Sequence, residues 1–296
     1  MKSLQQIILN DYRQDNIKKF KEVKFLKEFS KSKVFVTPSG LVCHIPKIDQ
    51  KSSLKLWDKK IFSKKIDQEK LQYSSNNAIM RSRHYYSAIF INSLLPNKKI
   101  RFCDFGSGEG NFIHELGKIN KNIKFYFTES SKLNFNNIKK KYQKKIVGFN
   151  GSIENSAINK KFKKLDAASL MWTLCNCINP LEVLTSIHKN LKLNGLLVVS
   201  ESSRILVPFK KPIYNFFNSK IKTENIHPWF FSYSSLSNLL EISGFEVVKK
   251  NRYYDENDLV IVARKKRNFR PILKLENQEK VILFLMEWKK NSTLLK

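Results

Sequence analysis

The sequence has few cysteines and no long apolar run, and each of these absences excludes a class of protein. Its four cysteines include no pair separated by two residues, so we expect neither a disulfide framework nor a bound metal such as zinc. No stretch approaches the ~20 apolar residues of a membrane-spanning helix. The apolar cluster Ile7-Ile8-Leu9 is too short for a secretory signal. We therefore expect a protein of the reducing cytoplasm without a membrane span.

Acidic residues are also scarce, since 25 Asp and Glu stand against 55 Lys and Arg and give a formal net charge of +30. A nucleic-acid-binding protein usually concentrates positive charge where its partner binds. Here the basic residues are spread along the chain, and only nine are Arg, the side chain that makes bidentate contacts with phosphate and guanine. The charge therefore favours a solvated lysine-rich surface, and nucleic-acid binding stays open as the less favoured alternative.

Apolar residues are plentiful enough to form a folded core. They make up 42% of the 296 residues, with 12% aromatic, which excludes a disordered basic tail. The pattern divides the chain into an N-terminal cap region at 1–98, a central domain at 99–265 and a basic tail at 266–296. The cap region is predicted to be helical and to end with a helix over residues 74–95. The apolar run of the tail is predicted to form a helix that docks on the domain, with binding to a membrane surface as the alternative.

The central domain alternates short β-prone runs with helical stretches, which is typical of a doubly wound α/β sheet. Seven strands are predicted at Ile100–Phe105, Ile123–Thr128, Lys145–Phe149, Ala167–Thr173, Leu196–Ser200, Phe245–Lys250 and Leu259–Arg264. Helices are predicted at Asn111–Asn120, Leu133–Tyr142, Pro180–Leu193 and Ser234–Ser243. The last two strands are close in sequence, which favours an antiparallel hairpin in an otherwise open sheet.

The strongest motif follows the first predicted strand and reads Asp104-Phe105-Gly106-Ser107-Gly108-Glu109-Gly110. Glycines at alternate positions allow a tight turn and bring backbone N–H groups against a ligand at the start of a helix. The leading acid suits a ligand with a cationic amino group, because it would repel a pyrophosphate. These residues resemble the first motif of class I S-adenosylmethionine (SAM)-dependent methyltransferases. The resemblance implies an α/β, Rossmann-like seven-stranded sheet and SAM as cofactor.

Three further segments match that family in order. Glu129 ends the second strand and is expected to accept hydrogen bonds from the ribose hydroxyls. The loop after the third strand resembles the one that contacts adenine, although the family usually has Asp where Ser152 stands. The end of the fourth strand resembles the segment under the methionine moiety. The implied cofactor-binding residues are Asp104, Gly106, Ser107, Gly108, Glu109, Gly110, Glu129, Ser130, Ser152, Ile153, Met171 and Trp172.

His227 is the expected catalytic base. Many small-molecule members of the class carry Glu-His after the fourth strand, but Cys175 and Asn176 stand there, and Asn cannot accept a proton. The segment around His227 resembles an insert of sugar C-methyltransferases and related polysaccharide-pathway enzymes, without the zinc cysteines of those proteins. An imidazole in a loop at the expected mouth of the site has a pKa near working pH.

Substrate contacts are expected from the cap helix and from the same insert. Arg81 and Arg83 are the two candidates for holding a carboxylate or phosphate of SAM or of the substrate. Tyr85 is expected to lie beside the cofactor cleft. Trp229 is expected either to stack on a substrate ring or to be part of the core.

The sequence thus predicts a SAM-dependent methyltransferase that acts on a small hydroxylated acceptor. A sugar or polysaccharide precursor is favoured, and the basic surface suits an anionic acceptor such as a nucleotide-linked or phosphorylated sugar. The alternatives are an RNA or protein methyltransferase and a non-catalytic module that binds SAM or RNA. The sequence makes no prediction of the oligomeric state.

Overall fold

The computed structural model describes residues 3–26, 33–45, 49–56, 78–153, 162–203, 212–213, 217, 227–251 and 258–293. The described strands are β1 (Lys21–Glu22), β2 (Lys33–Val36), β3 (Val42–Ile45), β4 (Ile100–Phe105), β5 (Ile123–Glu129), β6 (Val147–Asn150), β7 (Leu165–Met171), β8 (Leu191–Ser202), β9 (Trp229–Phe230), β10 (Phe245–Lys250) and β11 (Asp258–Lys265). The described α-helices are α1 (Leu4–Arg13), α2 (Gln50–Leu56), α3 (Ala78–Asn92), α4 (Asn111–Ile119), α5 (Lys132–Tyr142), α6 (Pro180–Asn190), α7 (Tyr233–Ile242) and α8 (Gln278–Thr293).

A seven-stranded sheet forms the centre of the molecule, in the order β10-β11-β8-β7-β4-β5-β6. Strands β4 to β8 run parallel to one another, whereas β11 is antiparallel to both β8 and β10. The central strands are buried on both faces, which explains their continuous apolar sequences. The predicted α/β sheet and its antiparallel hairpin are confirmed. The carboxyl ends of the parallel strands meet at one edge, where ligands bind in open sheets of this kind.

Helix α6 ends earlier than the predicted Pro180–Leu193. It stops at Asn190, and β8 begins at once, because Leu191 pairs with Leu165 of β7. The side chain of Leu191 is buried in this pairing, whereas Leu193 is half exposed. Strand pairing across the sheet therefore overrides the helical pattern of these apolar residues.

The N-terminal region is not only helical, contrary to the prediction of a helical cap. It contributes β1, β2 and β3 to a second, antiparallel sheet, which β9 completes from the segment after His227. These strands have two to four residues each, too few to show a period in the sequence. The cap and the insert are therefore joined by backbone hydrogen bonds.

Helix α8 packs against this second sheet. Its Val281, Leu285 and Trp288 are buried in one apolar cluster with Val34 and Val36 of β2. This is the docked helix that the sequence favoured for the tail. Across the described residues, no helix combines the length and apolar character required to cross a membrane.

Candidate functional site

The glycine turn after β4 has the backbone conformation that its sequence predicts. Gly106, Gly108 and Gly110 all have positive φ angles, of 72°, 54° and 77°. A Cβ at Gly106 would lie 2.5 Å from Cγ2 of Thr173, so this position is closed by protein. A Cβ at Gly108 would meet no atom of the described residues within 4 Å. The turn therefore leaves open space beside the backbone of Gly108, where a ligand can approach closely.

Glu129 is bound to this turn. One carboxylate oxygen accepts the backbone N–H of Gly108 at 2.7 Å, and the other accepts that of Ser131 at 2.8 Å. Burial raises the pKa of Glu129 to about 7, although both hydrogen bonds favour the charged form. A carboxylate oxygen can accept more than one hydrogen bond, so Glu129 retains capacity for the hydroxyls of a ligand.

Asp104 lies beneath the turn. The hydroxyl of Ser169 donates to its Oδ1 at 2.6 Å, while Oδ2 is buried and has no hydrogen-bond partner among the described residues. Burial raises the pKa of Asp104 to about 6. Ser107 donates its hydroxyl to the backbone carbonyl of Asp104 at 2.9 Å and so closes the turn. The motif therefore buries a negative charge behind the loop that would hold a cationic ligand.

A cavity of about 230 Å³ opens at the carboxyl edge of the sheet, above the glycine turn. Eight of the twelve predicted cofactor-binding residues line it, namely Gly106, Gly108, Glu129, Ser130, Ser152, Ile153, Met171 and Trp172. The other four, Asp104, Ser107, Glu109 and Gly110, belong to the turn and do not line it. Ser53 and Leu54 of α2 also line the cavity, a contribution that no pattern in the lysine-rich N-terminal sequence indicated.

Trp172 is held in place by residues from two distant elements. Its indole Nε1 donates to Oδ1 of Asp258 at 3.1 Å, and Nε of Arg83 lies 2.9 Å from Oδ2 of the same carboxylate. The ring of His84 meets the indole edge-on, with centroids 5.1 Å apart. Asp258 starts the last strand and carries no motif, so the sequence offered no signal for this contact.

His227 is exposed and lies beside the cavity. Its Nδ1 contacts Oδ1 of Asn176, a cavity-lining residue, and lies 3.6 Å from Sγ of Cys175. The backbone N–H of Cys175 donates to the buried carboxyl of Glu201 at 3.1 Å, and burial raises the pKa of Glu201 to about 7. The structure therefore brings the predicted base to the two residues that replace Glu-His.

The three predicted substrate-binding residues, Trp229, Tyr85 and Arg81, differ in burial and in whether their side chains are described. Trp229 is fully buried, and its Nε1 donates to the carbonyl of Cys177 at 2.8 Å, so it belongs to the core and has no surface to stack on a substrate. Its indole packs against Tyr12, with centroids 5.5 Å apart. Tyr85 on α3 is half exposed. The side chain of Arg81 lies outside the described residues.

The fold and the cavity define a protein of the SAM-dependent methyltransferase class. Residues 78–250 match the model of a family described as a methyltransferase domain. This match spans more than half of the chain, so the chain belongs to that family. The expected enzyme class and SAM as cofactor are thereby confirmed. No curated protein sequence matches the chain significantly.

Solved structures of methyltransferases have the same fold. The plantazolicin methyltransferase BpumL, in complex with SAH, is 15% identical with a TM-score of 0.55, over 73% of this chain and 94% of that one. The magnesium protoporphyrin IX methyltransferase ChlM from Synechocystis PCC 6803, with bound SAH, is 12% identical with a TM-score of 0.55, over 74% and 100%. The CurJ carbon methyltransferase is 17% identical with a TM-score of 0.54, over 74% of this chain and only 62% of that one. Such identities show a common fold.

Proposed function

We propose that this chain methylates a hydroxyl group of a small acceptor, with a sugar or polysaccharide precursor as the favoured class. One observation carries the proposal: a titratable imidazole, His227, touches the lining of the cavity that the glycine turn and Glu129 form. A hydroxyl acceptor has to lose its proton during methyl transfer, and a neutral imidazole can take it. The resemblance of the insert to sugar methyltransferases supports the acceptor class.

The cavity fits SAM in three respects. The space beside Gly108 accommodates a ligand against bare backbone, and Glu129 faces the same space as an acceptor for ribose hydroxyls. Ser152 and Ile153 would contact adenine, with the Ser152 hydroxyl accepting from the exocyclic amine. Met171 and Trp172 would lie along the methionine moiety, and Asp104 would offset its positive charge from beneath the turn.

The protein's own contribution to the reaction is positioning and proton removal. SAM supplies a methyl group on a positively charged sulfur, which is displaced in line by the acceptor oxygen. The cavity would orient the two reactants and exclude water from the sulfur, which accounts for a large part of the barrier reduction in reactions of this kind. His227 would accept the hydroxyl proton and release it to solvent, to which its side chain is exposed.

The positive charge of the protein supports an anionic acceptor, and its cysteines support a cytoplasmic location. A net charge of +30 attracts an anionic acceptor, such as a phosphorylated or nucleotide-linked sugar. All four cysteines, Cys43, Cys103, Cys175 and Cys177, lie among the described residues, and the structure pairs none of them in a disulfide. Cysteines that form no disulfide are typical of a reducing compartment, so we place the reaction in the cytoplasm.

The same positive charge favours RNA or protein as a second candidate acceptor. A third reading is a module that binds SAM or RNA without catalysis. The three are separated by incubating the purified protein and methyl-labelled SAM with host extract, followed by fractionation into nucleic acid, protein and small molecules or glycans. Label in the last fraction supports our proposal, and label in another fraction assigns the acceptor there. SAM binding without labelling, in the presence of a control methyltransferase that labels the same extract, supports the non-catalytic reading.

A further inference from the structure

The side chain of Asn176 has a defined orientation beside His227. Its Nδ2 donates to the backbone carbonyl of Trp172 at 3.1 Å. A carbonyl oxygen only accepts hydrogen bonds, so the nitrogen of the amide must lie on that side, and Oδ1 faces the other way. Oδ1 is the atom that contacts Nδ1 of His227. The backbone of the loop after β7 therefore determines that the imidazole meets the oxygen end of the amide.

We infer that Asn176 is a positioning residue that keeps the proton of neutral His227 on Nδ1 and so leaves Nε2 as the basic nitrogen. The amide oxygen has no proton to give, so a hydrogen bond between these atoms requires Nδ1–H. A neutral imidazole has one N–H and one lone pair, and the lone pair is then on Nε2. This inference rests on the proposed function, because it states how the proposed base is prepared.

The arrangement gives a physical role to the residue that replaces a histidine. Asn176 cannot act as a base itself, but from the same position it can orient a base that comes from a loop 51 residues later. This is the division of roles found wherever a hydrogen-bond acceptor on one ring nitrogen sets the tautomer of a catalytic histidine. In this chain the orienting group is neutral, so it fixes the tautomer without adding a negative charge.

Three other titratable groups lie near His227: the thiol of Cys175, the carboxyl of Glu201 and the imidazole of His44. The thiol of Cys175 lies 3.6 Å from Nδ1, and burial beside Glu201 raises the pKa of that thiol well above its usual value. The thiol therefore stays protonated and does not supply a negative charge. Glu201 is buried behind Cys175. His44 of β3 is buried, and its pKa is lowered to about 4 by burial and by repulsion from His227, so it is neutral at working pH. The thiol of Cys175 donates to Oδ1 of Asn176 at 3.4 Å, and the same Oδ1 contacts Nδ1 of His227 as a neutral acceptor.

The tautomer is measured directly on the free protein by nitrogen-15 NMR of its histidine side chains. The chain has five histidines, and the His227→Ala spectrum identifies the signals of His227. We expect Nδ1–H in the wild-type protein and Nε2–H as the main form in Asn176→Ala. Asn120→Ala is the matched control, since Asn120 ends α4 at the opposite edge of the sheet, and it should leave the wild-type tautomer unchanged. Nε2–H in the wild type, or the same tautomer in Asn176→Ala, overturns the inference.

Kinetics then test whether the tautomer matters. We expect Asn176→Ala to lower kcat about tenfold or more at saturating SAM, and by no more than the roughly 10²–10⁴-fold that a general base contributes in total. Asn176→Asp restores an acceptor for Nδ1–H and adds a negative charge that favours the imidazolium, so it should recover part of kcat and shift the rising, acidic limb of the pH profile to higher pH. Unchanged kcat in Asn176→Ala would show that orientation by Asn176 has no catalytic role. If His227→Ala leaves kcat unchanged while the wild-type tautomer is Nδ1–H, the hydrogen bond stands and the proposed base is wrong.

Discussion

Glu129 accepts the backbone N–H of Gly108 at 2.7 Å, so the acid that ends β5 and the open glycine that follows β4 form one unit before any ligand binds. The carboxylate is thereby held at the wall of the cavity, with its second oxygen fixed by Ser131. A ligand with two hydroxyls would find both acceptor oxygens already oriented. Such preorganisation reduces the entropic cost of binding.

The first prediction concerns the affinity for SAM. Glu129→Gln would remove the charge from the two hydrogen bonds that we propose with ribose. Hydrogen bonds to a charged group contribute about 1.5–3 kcal/mol, so affinity should fall about tenfold to a hundredfold. Calorimetric titration with SAM measures this. The exposed Glu182→Gln is the control and should bind as the parent does. Equal affinity of Glu129→Gln and the parent would remove Glu129 from the site.

The same carboxyl predicts how SAM binding depends on pH. Burial raises the pKa of Glu129 to about 7, so at neutral pH its carboxyl is protonated in about half of the ligand-free molecules. Ribose hydroxyls donate to the ionised form and favour it, so binding releases a proton and the affinity should rise from pH 6 to pH 8. Titrations in buffers of different ionisation enthalpy report the proton release. A constant affinity across this range would contradict the prediction.

A third prediction contrasts two glycines of one turn. At Gly106 an alanine would have both an unfavourable φ and a clash with Thr173, so we expect a large loss of stability. At Gly108 only the φ is unfavourable, which costs roughly 1–2 kcal/mol, and the new methyl group points into open space. Gly108→Ala should therefore fold and lose SAM affinity, as measured by thermal unfolding and calorimetry. Full affinity in a folded Gly108→Ala would show that the cofactor does not approach this glycine.

Glu201 predicts how the stability of the fold changes with pH. Burial raises its pKa from 4.5 to about 7, so the folded state binds a proton more tightly than the unfolded state does. The stability that this proton confers is present below about pH 4.5 and is lost as the pH rises towards 7. A shift of this size corresponds to a few kcal/mol, at about 1.4 kcal/mol per pKa unit. Denaturant unfolding of Glu201→Gln should therefore show a shallower fall in the free energy of unfolding between pH 5 and 8. Parallel curves for variant and parent would contradict this.

The central sheet and the glycine turn were predictable because they depend on local patterns. A strand buried on both faces has a continuous apolar sequence, and a turn with three positive φ angles requires glycine, so both are visible in the order of residues. The order of Asp104, the glycines and Glu129 also fixed where the ligand-binding edge would be.

The rest of the site depends on contacts between distant segments. Asp258 meets Trp172 across 86 residues, and His227 meets Asn176 across 51. β9 consists of two residues, and only its pairing with β3 places Trp229 in the core. Neither composition nor residue spacing predicts these contacts, because each depends on how the second sheet and β11 pack on the rest of the seven-stranded sheet. For the same reason the sequence left two roles open for Trp229, and its full burial fits the place in the core and not the stacking on a substrate ring.

The contact between Asp258 and Trp172 leads to the last prediction. Asp258 joins Nε1 of Trp172 to the side chain of Arg83, and all three are partly or fully buried. Asp258→Asn weakens both contacts and leaves the Arg83 charge without its ion-pair partner, so Trp172 should become mobile at the cavity wall and SAM affinity should fall about tenfold. Asp166→Asn is the matched control, because Asp166 likewise joins a cation, Lys192, to an N–H donor, that of Arg101, but at the opposite edge of the sheet. Calorimetry should show a loss for the first variant and parental affinity for the second. An equal loss in both would indicate a general loss of stability, and no loss in either would show that Trp172 needs no support from Asp258.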